Sequence, residues 1–447
     1  MDKLSQYFTI REAAEYLGVS SSTLRNWDKS GKLVSLRNPY NDYRIYKQED
    51  IENILKSIQK DRENKMSATR VANSETTIFT VVNTLAAQYN AVGLSQGAPD
   101  FDTPRWVLDI IKEAFDAGRN QYAPLSGVPE FRQAISDMYK KKYGRNFDPA
   151  TQITVTSGAT EAIFDSVLAL CDPGNELIAF EPFFDSYAGS CKMAGCTMKA
   201  VTLHLPDFSF DRKELEAAIT PRTKAIIVNN PNNPTGKVYT MEELTVLSEV
   251  ANKYNLTVIS DEVYENLVFD KLKHIPTATV PGLAERTITI NSTAKTFSAT
   301  GWKIGYICAP TPLTQAVQAV HQWVTFAVNH PIQLAFSKIL PISADYSKEF
   351  CAQMEKHRDY LLARATEWGF DPVKPEGSYF FMATFDRLSR KSDMDFMEEL
   401  IKTKQVALIP ASPFYLSAKD EGHRLLRFNF VKSIAALEQA DRNMRTL

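Results

Sequence analysis

The 447-residue sequence has few cysteines and few histidines, and neither type is grouped along the chain. Its five cysteines include no C-x-x-C pair, which argues against a disulfide framework and predicts reduced thiols in a cytoplasmic protein. The six histidines are also scattered, without the spacing to cysteine or acidic residues that is typical of metal ligands. We therefore expect no metal site.

Long apolar runs are missing as well. No stretch is long enough to span a bilayer, and the first residues lack the apolar core of a secretory signal, so we expect no membrane contact. The net charge of −2 favours no class of partner. A composition of 44% apolar and 23% charged residues is typical of a globular protein in water, and the length predicts two or three domains.

Residues 1–62 have the pattern of a small separate unit. Thr9 stands where a helix cap is expected, and apolar residues then recur on one face of a helix that ends at Gly18. Further elements follow this turn: a helix at 22–29, hairpin strands at 33–36 and 43–46, and a helix at 48–60. This order predicts a winged helix-turn-helix unit, and the polar residues 63–75 predict a linker.

This segment resembles the winged helix-turn-helix of MerR and excisionase proteins. The matching residues are Thr9–Ala14, Leu17–Ser20, Thr23–Trp27, Gly31–Leu33 and Tyr43–Tyr46. The resemblance implies DNA binding through residues 1–60, with Arg25 and Asn26 at the major groove and Arg37 and Arg44 near phosphates. The alternative is a docking or dimerisation unit without DNA binding, since the excess of basic residues in this segment is modest.

From Thr76 onward, strand-like and helical segments alternate, which predicts a mostly parallel sheet with helices on both faces. The predicted strands are Ile153–Thr156, Leu177–Phe180, Ala225–Val228, Thr257–Ser260 and Thr287–Ile290, and the predicted helices include 129–143, 161–170 and 241–254. Sheets of this kind bind ligands beyond the carboxyl ends of their strands.

A lysine follows the last of these strands. Lys295 stands with Ser292 shortly before it and Lys303 shortly after it. A lysine in this setting is suited to form an imine with a phosphorylated aldehyde, while the hydroxyl and the second lysine hold the phosphate. Taken alone, the stretch would fit a plain surface loop equally well.

Other strand ends offer groups that complement this lysine. The turn Ser157–Glu161 opens a helix and predicts an anion cradle. The stretch Asn229–Gly236 contains two Asn-Pro steps, which hold an asparagine side chain in place. Asp261 at a buried strand end requires a cation such as a pyridinium, and Arg427 in an apolar strand requires an anion such as a carboxylate.

Residues 76–447 resemble the fold-type I pyridoxal-phosphate aminotransferases of class I/II, and among them the kynurenine, glutamine and methionine aminotransferases. The matching motifs, in family order, are Leu94–Phe101, Asn120–Tyr122, Glu181–Tyr187, Asn233–Gly236, Ser260–Tyr264, Asn291–Gly305 and Arg427. The resemblance implies an α/β large domain at about 105–320 that binds the cofactor, and a smaller α+β domain built from 76–104 and 321–447.

The resemblance also implies a role for each matching residue. Lys295 attaches the cofactor and moves the substrate proton, Asp261 pairs with the pyridinium nitrogen, and Arg427 binds the substrate α-carboxylate. The resemblance also implies that Asn233 and Tyr264 donate hydrogen bonds to the ring oxygen and that Phe183 stacks on the ring. It implies phosphate binding by Ala159, Thr160, Ser292 and Lys303, and lining of the carboxylate end by Gly97 and Asn233. The implied assembly is a homodimer, in which Tyr122 contacts the phosphate in the neighbouring subunit.

The implied activity is transfer of an amino group from an L-amino acid of the methionine, aromatic, kynurenine or glutamine type to a 2-oxo acid. Ala98 stands where this subgroup usually has phenylalanine, which leaves the substrate open. Two alternatives remain at this point. One is a transcription regulator that senses the cofactor or an amino acid through an aminotransferase fold, and the other is a pyridoxal-phosphate enzyme that performs β-elimination or oxidation.

Overall fold

A computed structural model of the chain describes residues 6–66, 68–71 and 76–445. The chain divides into two compact units, Met1–Glu75 and Thr76–Leu447. Within the described part of the chain, no helix is both long enough and apolar enough to cross a membrane.

The first unit contains a helix pair, a hairpin and a long helix. Its elements are β1 (Tyr7–Thr9), α1 (Ile10–Leu17), α2 (Ser21–Lys29), β2 (Leu36–Arg37), β3 (Arg44–Lys47) and α3 (Gln48–Met66). The strands form an antiparallel sheet in the order β1-β3-β2. Thr9 caps α1 as expected, because its hydroxyl accepts the Glu12 N–H while the Glu12 carboxylate accepts the Thr9 N–H.

The hairpin and the third helix differ from the sequence-based expectation. The strand expected at 33–36 is reduced to Leu36–Arg37, because Ser35 donates its backbone N–H and its hydroxyl to Asp28 at 2.8 and 2.9 Å. Helix α3 continues past residue 60 to Met66, so it covers residues 63–66 of the expected linker. Residues 67 and 72–75 of that linker lie outside the described residues.

The second unit alternates helices and strands. Its elements are α4 (Ile78–Gln88), β4 (Val92–Gly93), α5 (Arg105–Asp116), α6 (Pro129–Tyr143), β5 (Ile153–Ser157), α7 (Gly158–Leu170), β6 (Glu176–Glu181), α8 (Ser186–Ala194), β7 (Thr197–Thr202), α9 (Arg212–Ala218), β8 (Thr223–Asn229), α10 (Met241–Lys253), β9 (Thr257–Asp261), β10 (Thr287–Ser292), α11 (Thr293–Thr296), β11 (Ile304–Cys308), α12 (Thr311–Val324), α13 (His330–Ile342), α14 (Ala344–Glu367), β12 (Asp371–Pro372), β13 (Phe380–Thr384), α15 (Asp393–Lys404), β14 (Val406–Ala407), β15 (Ile409–Pro410), α16 (Lys419–Gly422), β16 (Leu425–Asn429) and α17 (Ile434–Arg445).

A seven-stranded sheet lies at the centre of this unit, in the order β5-β11-β10-β9-β8-β6-β7. Neighbouring strands are parallel, except that β11 runs antiparallel to both β5 and β10. The carboxyl ends of β5, β8, β9 and β10 therefore lie at the same edge as the amino end of β11. The predicted strands and the mostly parallel sheet are confirmed, with each strand slightly longer than expected.

Helices cover both faces of the sheet, because successive strand residues point to opposite sides. On one face, Ile259 of β9 belongs to an apolar cluster with Ile163 of α7. On the other face, Val258 belongs to a cluster with Leu247 of α10. Helix α7 begins at Gly158 rather than at residue 161, which places the expected anion cradle in its first turn.

A second, antiparallel sheet in the order β12-β13-β16-β15 carries the arginine singled out in the sequence. All five residues of β16 are buried, and Arg427 is paired with Met382 of β13. The first sheet falls within residues 153–308 and the second within residues 371–429. The division of 76–447 into a large and a small domain stays a prediction.

Candidate active site

Lys295 lies in α11, the four-residue helix that follows β10 directly. Its ammonium group donates to the Gly97 carbonyl at 3.3 Å and lies 5.7 and 5.8 Å from the ring centroids of Tyr264 and Tyr379. Tyr379 also donates its hydroxyl to the Lys295 carbonyl, which fixes the backbone of this short helix. Burial lowers the pKa of Lys295 to about 8, and the cations Arg427 and Lys303 act in the same direction while Asp261 opposes them.

This lowered pKa predicts how cofactor attachment depends on pH. Only the neutral amine attacks an aldehyde, so the rate at which pyridoxal phosphate enters the apo-protein should rise about tenfold per pH unit below pH 8. Above pH 8 the rate should level off. Stopped-flow absorbance from pH 6 to 9.5 measures this, with free Nα-acetyl-lysine under the same conditions as the control for ionisation of the cofactor itself. A rate that keeps rising up to pH 9.5, as with the free lysine, would contradict the lowered pKa.

Asp261 ends β9 and is buried. Its Oδ2 accepts the Tyr187 hydroxyl at 2.7 Å, and burial raises the pKa of its carboxyl to about 6 although that hydrogen bond opposes the rise. The Asp261 carbonyl accepts Asn229 Nδ2 at 2.9 Å, and Asn229 Oδ1 accepts the backbone N–H of Asn233 at 2.6 Å. The Asn-Pro stretch is thereby tied to the strand that carries the carboxylate.

The expected anion cradle forms where β5 leads into α7. The first N–H groups of α7 have no partner within the helix, as in any helix, and they face the start of β11. A Cβ on Gly305 would lie 2.5 Å from the carbonyl carbon of Gly158 and 2.7 Å from the nitrogen of Ala159, so glycine is required for this approach. Lys303 Nζ donates to Thr160 Oγ1 at 3.3 Å, which brings two of the expected phosphate ligands together.

Ser292, another expected phosphate ligand, caps α11. Its hydroxyl accepts the Ala294 N–H and donates to the Ile304 carbonyl, both at 3.1 Å. Because Ser292 pairs with Gly305 across β10 and β11, its hydroxyl lies at the same sheet edge as Lys303.

Arg427 is buried and bound on two sides. Its Nη1 donates to Asn233 Oδ1 at 2.9 Å and its Nη2 to the Ser95 carbonyl at 2.7 Å, while no described residue accepts a hydrogen bond from its Nε. The guanidinium lies 4.1, 5.1 and 5.3 Å from aromatic ring centroids, which belong to Phe380, Phe79 and Phe414. Burial lowers the pKa of Arg427 to about 10, because the buried cation has lost its hydration. The guanidinium is still charged at neutral pH, so an anion bound next to it would be stabilised.

The remaining expected site residues lie in different settings. Tyr264 is buried, and burial raises its pKa. Phe183 is buried in the apolar cluster that Ala159 packs against. A Cβ on Gly97 would lie 2.5 Å from the Phe380 ring. Tyr122 is 82% exposed and its ring contacts Phe326 at a centroid distance of 5.6 Å, so within this chain it stands on the surface.

The sequence analysis assigned no role to several residues that contact this site. Tyr187 lay inside a matching motif, and its spacing from Asp261 gave no signal because the contact spans 74 positions. Tyr379, Phe380 and the Ser95 carbonyl gave no signal either, because they contact site residues that are also far away in the sequence. Two buried groups of acidic residues and histidine were also not predicted from the sequence. One is Glu161, Asp165 and His321, the other is Glu262, Glu265 and His274, and within each group the possible ligand atoms lie within 4.8 Å of one another. In both groups a histidine nitrogen lies within 2.9 Å of a carboxylate.

The residues fit pyridoxal phosphate, the cofactor expected from the sequence. The backbone of Gly158 and Ala159 approaches Gly305 too closely for a side chain at position 305, and the first N–H groups of α7 have no partner within the helix there, as a phosphate site requires. The lysine with a lowered pKa suits an aldehyde, and the buried Asp261 carboxyl suits a pyridinium. Each Nη of Arg427 makes one hydrogen bond within the chain and carries a second hydrogen, which suits a further anion such as a substrate carboxylate.

Comparison with known proteins gives two family matches. The model of the aminotransferase class I and II family matches residues 89–441, and that of the MerR family regulatory protein matches residues 9–46. The chain is 40% identical over 392 residues to the probable N-succinyldiaminopimelate aminotransferase DapC of Mycobacterium tuberculosis. The matched residues cover 86% of this chain and 98% of that protein. It is 37% identical over 372 residues to the methionine aminotransferase of Escherichia coli, with coverages of 83% and 96%.

Solved structures agree with the sequence matches. The structure of N-succinyldiaminopimelate aminotransferase from Mycobacterium tuberculosis superposes with a TM-score of 0.82 at 40% identity, and the match covers 84% of this chain and 98% of that chain. Together with the geometry of Lys295, Asp261 and Arg427, these matches show that the chain belongs to the class I and II aminotransferases, pyridoxal-phosphate-dependent enzymes that transfer an amino group from an amino acid to a 2-oxo acid.

Proposed function

We propose that the second unit is a homodimeric aminotransferase whose chemistry is centred on Lys295, Asp261 and Arg427. The observation that carries this is that an amine of lowered pKa and a buried carboxyl lie at one edge of the first sheet, where Asn233 accepts a hydrogen bond from a buried guanidinium of the second sheet. When bound, pyridoxal phosphate would supply an electron sink for the carbanion that forms at the substrate α-carbon.

The chain's own residues would divide the remaining work. Lys295 would attach the cofactor aldehyde and then take the substrate α-proton, and the Asp261 carboxylate would keep the pyridine nitrogen protonated. Asn233 and Tyr264 would donate to the ring oxygen, and Phe183 would stack on the ring. Ala159, Thr160, Ser292 and Lys303 would hold the phosphate. Arg427 would bind the substrate α-carboxylate through the second hydrogens of its two Nη groups, with Gly97 beside it.

A change at Arg427 should affect substrate binding more than cofactor binding. Arg427→Lys removes the two-point recognition of a carboxylate, so kcat/KM for the amino acid should fall about 10- to 100-fold. Steady-state kinetics and a cofactor titration measure the two effects separately. The matched control is Arg424→Lys in the same segment, where the guanidinium bonds Asp386 at the surface. Equal losses in the two variants, or a loss of cofactor affinity alone, would contradict the proposed role.

The walls of the site indicate the class of amino acid. Aromatic rings surround the guanidinium of Arg427 and the amine of Lys295, which favours an uncharged, apolar or amide side chain of the methionine, aromatic, kynurenine or glutamine type. Among the similar proteins, one is named for N-succinyldiaminopimelate and another for methionine. The aromatic lining favours the second type of substrate for this chain.

A spectroscopic substrate screen tests this proposal. Purified holo-protein is mixed with each amino acid without a keto acid, and the visible absorption of the cofactor is followed. Loss of the visible band that a 2-oxo acid reverses would establish transfer and rank the donors. A spectrum that changes without reversible conversion would favour β-elimination, oxidation or a sensor. Preference for a donor with an acidic side chain would contradict the proposed substrate class.

Tyr122 supports the homodimer. It is 82% exposed and lies against Phe326, which is 49% exposed, and Trp323 of α12 is 83% exposed. A second copy of the chain would bury these rings, and Tyr122 would then reach the phosphate in the neighbouring subunit. Sedimentation velocity measures the assembly, and a monomer that is fully active would rule out this role.

We infer a DNA-binding role for the first unit from three observations. The MerR family model matches residues 9–46, the first two helices of the unit are joined by a tight turn, and Arg25 and Asn26 are exposed on α2. Arg44 is less available, since it bonds Asp28 at 2.8 Å. Fluorescence anisotropy with random-sequence duplex at several salt concentrations tests this inference, and binding should weaken as salt rises. Absence of binding at low salt would favour a docking role, and unchanged affinity in Arg25→Ala would contradict the expected contact of Arg25.

Removal of the first unit should leave the catalytic unit intact. A chain that begins at Thr76 retains Thr77, whose hydroxyl caps α4, and the whole of the three sheets of the second unit. We expect kcat/KM to stay within about twofold of the full chain, because the residues of the proposed site all follow Thr76. Kinetics and sedimentation of the two proteins measure this. Loss of activity together with loss of the dimer would instead assign a dimerisation role to residues 1–62.

A further inference from the structure

A buried charged cluster lies next to the proposed phosphate cradle. It consists of Glu161 and Asp165 of α7 and His321 of α12, whose side chains are at most 6% exposed. His321 Nδ1 lies 2.9 Å from Glu161 Oε1 and 3.6 Å from Asp165 Oδ2. Burial lowers the pKa of His321, but the negative charges of Asp165 and Glu161 and the hydrogen bond to Glu161 outweigh it and raise the pKa to about 9. The imidazole is therefore a cation at neutral pH.

The cluster connects three backbone segments. Glu161 Oε2 accepts the N–H of Ser157, the residue directly before the first turn of α7. His321 Nε2 donates to the Leu125 carbonyl at 3.1 Å, in the loop that follows Tyr122. The His321 carbonyl accepts the N–H groups of Thr325 and Phe326, each at 3.0 Å, at the end of α12.

These segments carry the two halves of the proposed dimeric site. The first turn of α7 would bind the phosphate of the same subunit. The segments around Leu125 and Phe326 place Tyr122 and Phe326 against each other on the surface that a second subunit would cover. The buried imidazolium of His321 is thus linked to two parts of the proposed site. One is the phosphate cradle of its own subunit, and the other is the surface with Tyr122 and Phe326 that would face the neighbouring subunit.

We propose that His321 is a positioning residue for phosphate binding, which through Glu161 aims the first turn of α7 and through Leu125 fixes the loop of Tyr122. This proposal rests on the phosphate site proposed above. Without the imidazolium, Glu161 would remain as an uncompensated buried anion next to the phosphate. The phosphate would then be repelled and the N–H groups of the cradle would lose their orientation.

The test compares pyridoxal phosphate with pyridoxal, which lacks the phosphate. Dissociation constants of both are measured by absorbance titration for the wild-type protein, His321→Gln and His204→Gln. His204 is the matched control, because it also lies between two carboxylates, Glu214 at 3.0 Å and Glu421 at 3.3 Å, but is 40% exposed. We expect His321→Gln to weaken pyridoxal phosphate about 10- to 100-fold and pyridoxal little, and His204→Gln to change neither.

The outcomes separate the proposal from the site on which it rests. If the wild-type protein binds the two compounds equally, the phosphate site itself is wrong. If the wild type prefers pyridoxal phosphate and His321→Gln keeps that preference, or loses affinity for both compounds equally, the role of His321 is overturned. Selective loss of the phosphate-dependent part supports it, since a general weakening of the fold would affect both compounds.

A second measurement guards against a variant that does not fold. In hydrogen exchange followed by mass spectrometry, peptides that cover residues 122–127 and 325–328 should exchange faster in His321→Gln, while those of β8 and β9 should match the wild type. If exchange rises throughout the chain, the double variant that combines His321→Gln with Glu161→Gln decides instead, because it removes the buried anion together with the imidazolium. It should regain much of the preference for pyridoxal phosphate that His321→Gln loses, and a double variant that binds pyridoxal phosphate as weakly as His321→Gln would overturn the proposal.

Discussion

Lys295→Ala should abolish amino-group transfer, with kcat lowered by about 10⁴- to 10⁶-fold. Lys295 is the amine on which the charges of Asp261 and Arg427 act and whose pKa is lowered to about 8, so the variant loses both the covalent attachment and the base. The visible absorption band of the bound cofactor should be missing. Borohydride reduction of the wild-type holo-protein followed by peptide mass spectrometry should place the label on Lys295.

Lys303→Ala is the matched control for this prediction. Lys303 is a second lysine of the proposed site, with its ammonium group 3.3 Å from Thr160 Oγ1, and its expected role is to bind phosphate. The variant should keep the visible band and the reducible label but require more cofactor for saturation. A label on Lys303 in either protein, or a normal visible band in Lys295→Ala, would show that the lysine is wrongly assigned.

Sequence periodicity predicted the central fold well, because parallel strands buried on both faces form apolar runs that few other structures require. The strands at β5, β6, β8, β9 and β10 were found within a few residues of their limits. The N-terminal hairpin was predicted less well. Its first strand is displaced by the hydrogen bonds from Ser35 to Asp28, and a contact between two side chains seven positions apart has no signature in the hydrophobic pattern.

Site residues were predictable where they end a strand. Asp261 ends β9, and Asn233 and Lys295 come shortly after β8 and β10, so the topology of a parallel sheet brings them to one edge. Tyr187, Tyr379 and His321 reach the same region from helices and from the second sheet. Their contacts depend on how these elements pack on the first sheet, and a single sequence does not reveal that.

Asp261→Asn should lower kcat/KM by about 10²- to 10³-fold, on the order of 3–4 kcal/mol in transition-state stabilisation. An amide is uncharged at neutral pH and does not hold a proton on the pyridine nitrogen, so the carbanion would lose its electron sink. Steady-state kinetics measure the loss, with Tyr187→Phe as the control that removes only the hydroxyl donated to Asp261. A variant Asp261→Asn with nearly full activity would show that another group keeps the nitrogen charged.

The same substitution should have the opposite effect on the stability of the apo-protein. The pKa of Asp261 is raised to about 6 in the folded state, so the folded protein binds this proton more tightly than the unfolded chain does, and stability is lost as pH rises from about 4 to 6. At pH 7–8 the buried carboxylate then costs on the order of 3 kcal/mol, which Asp261→Asn should recover. Urea unfolding of both apo-proteins at pH 4 and pH 7.5 measures this. If Asp261→Asn is more stable than the wild type at pH 7.5 but not at pH 4, the site keeps an unfavourable charge for its cofactor. If the difference in stability between the two proteins is the same at both pH values, the raised pKa is contradicted.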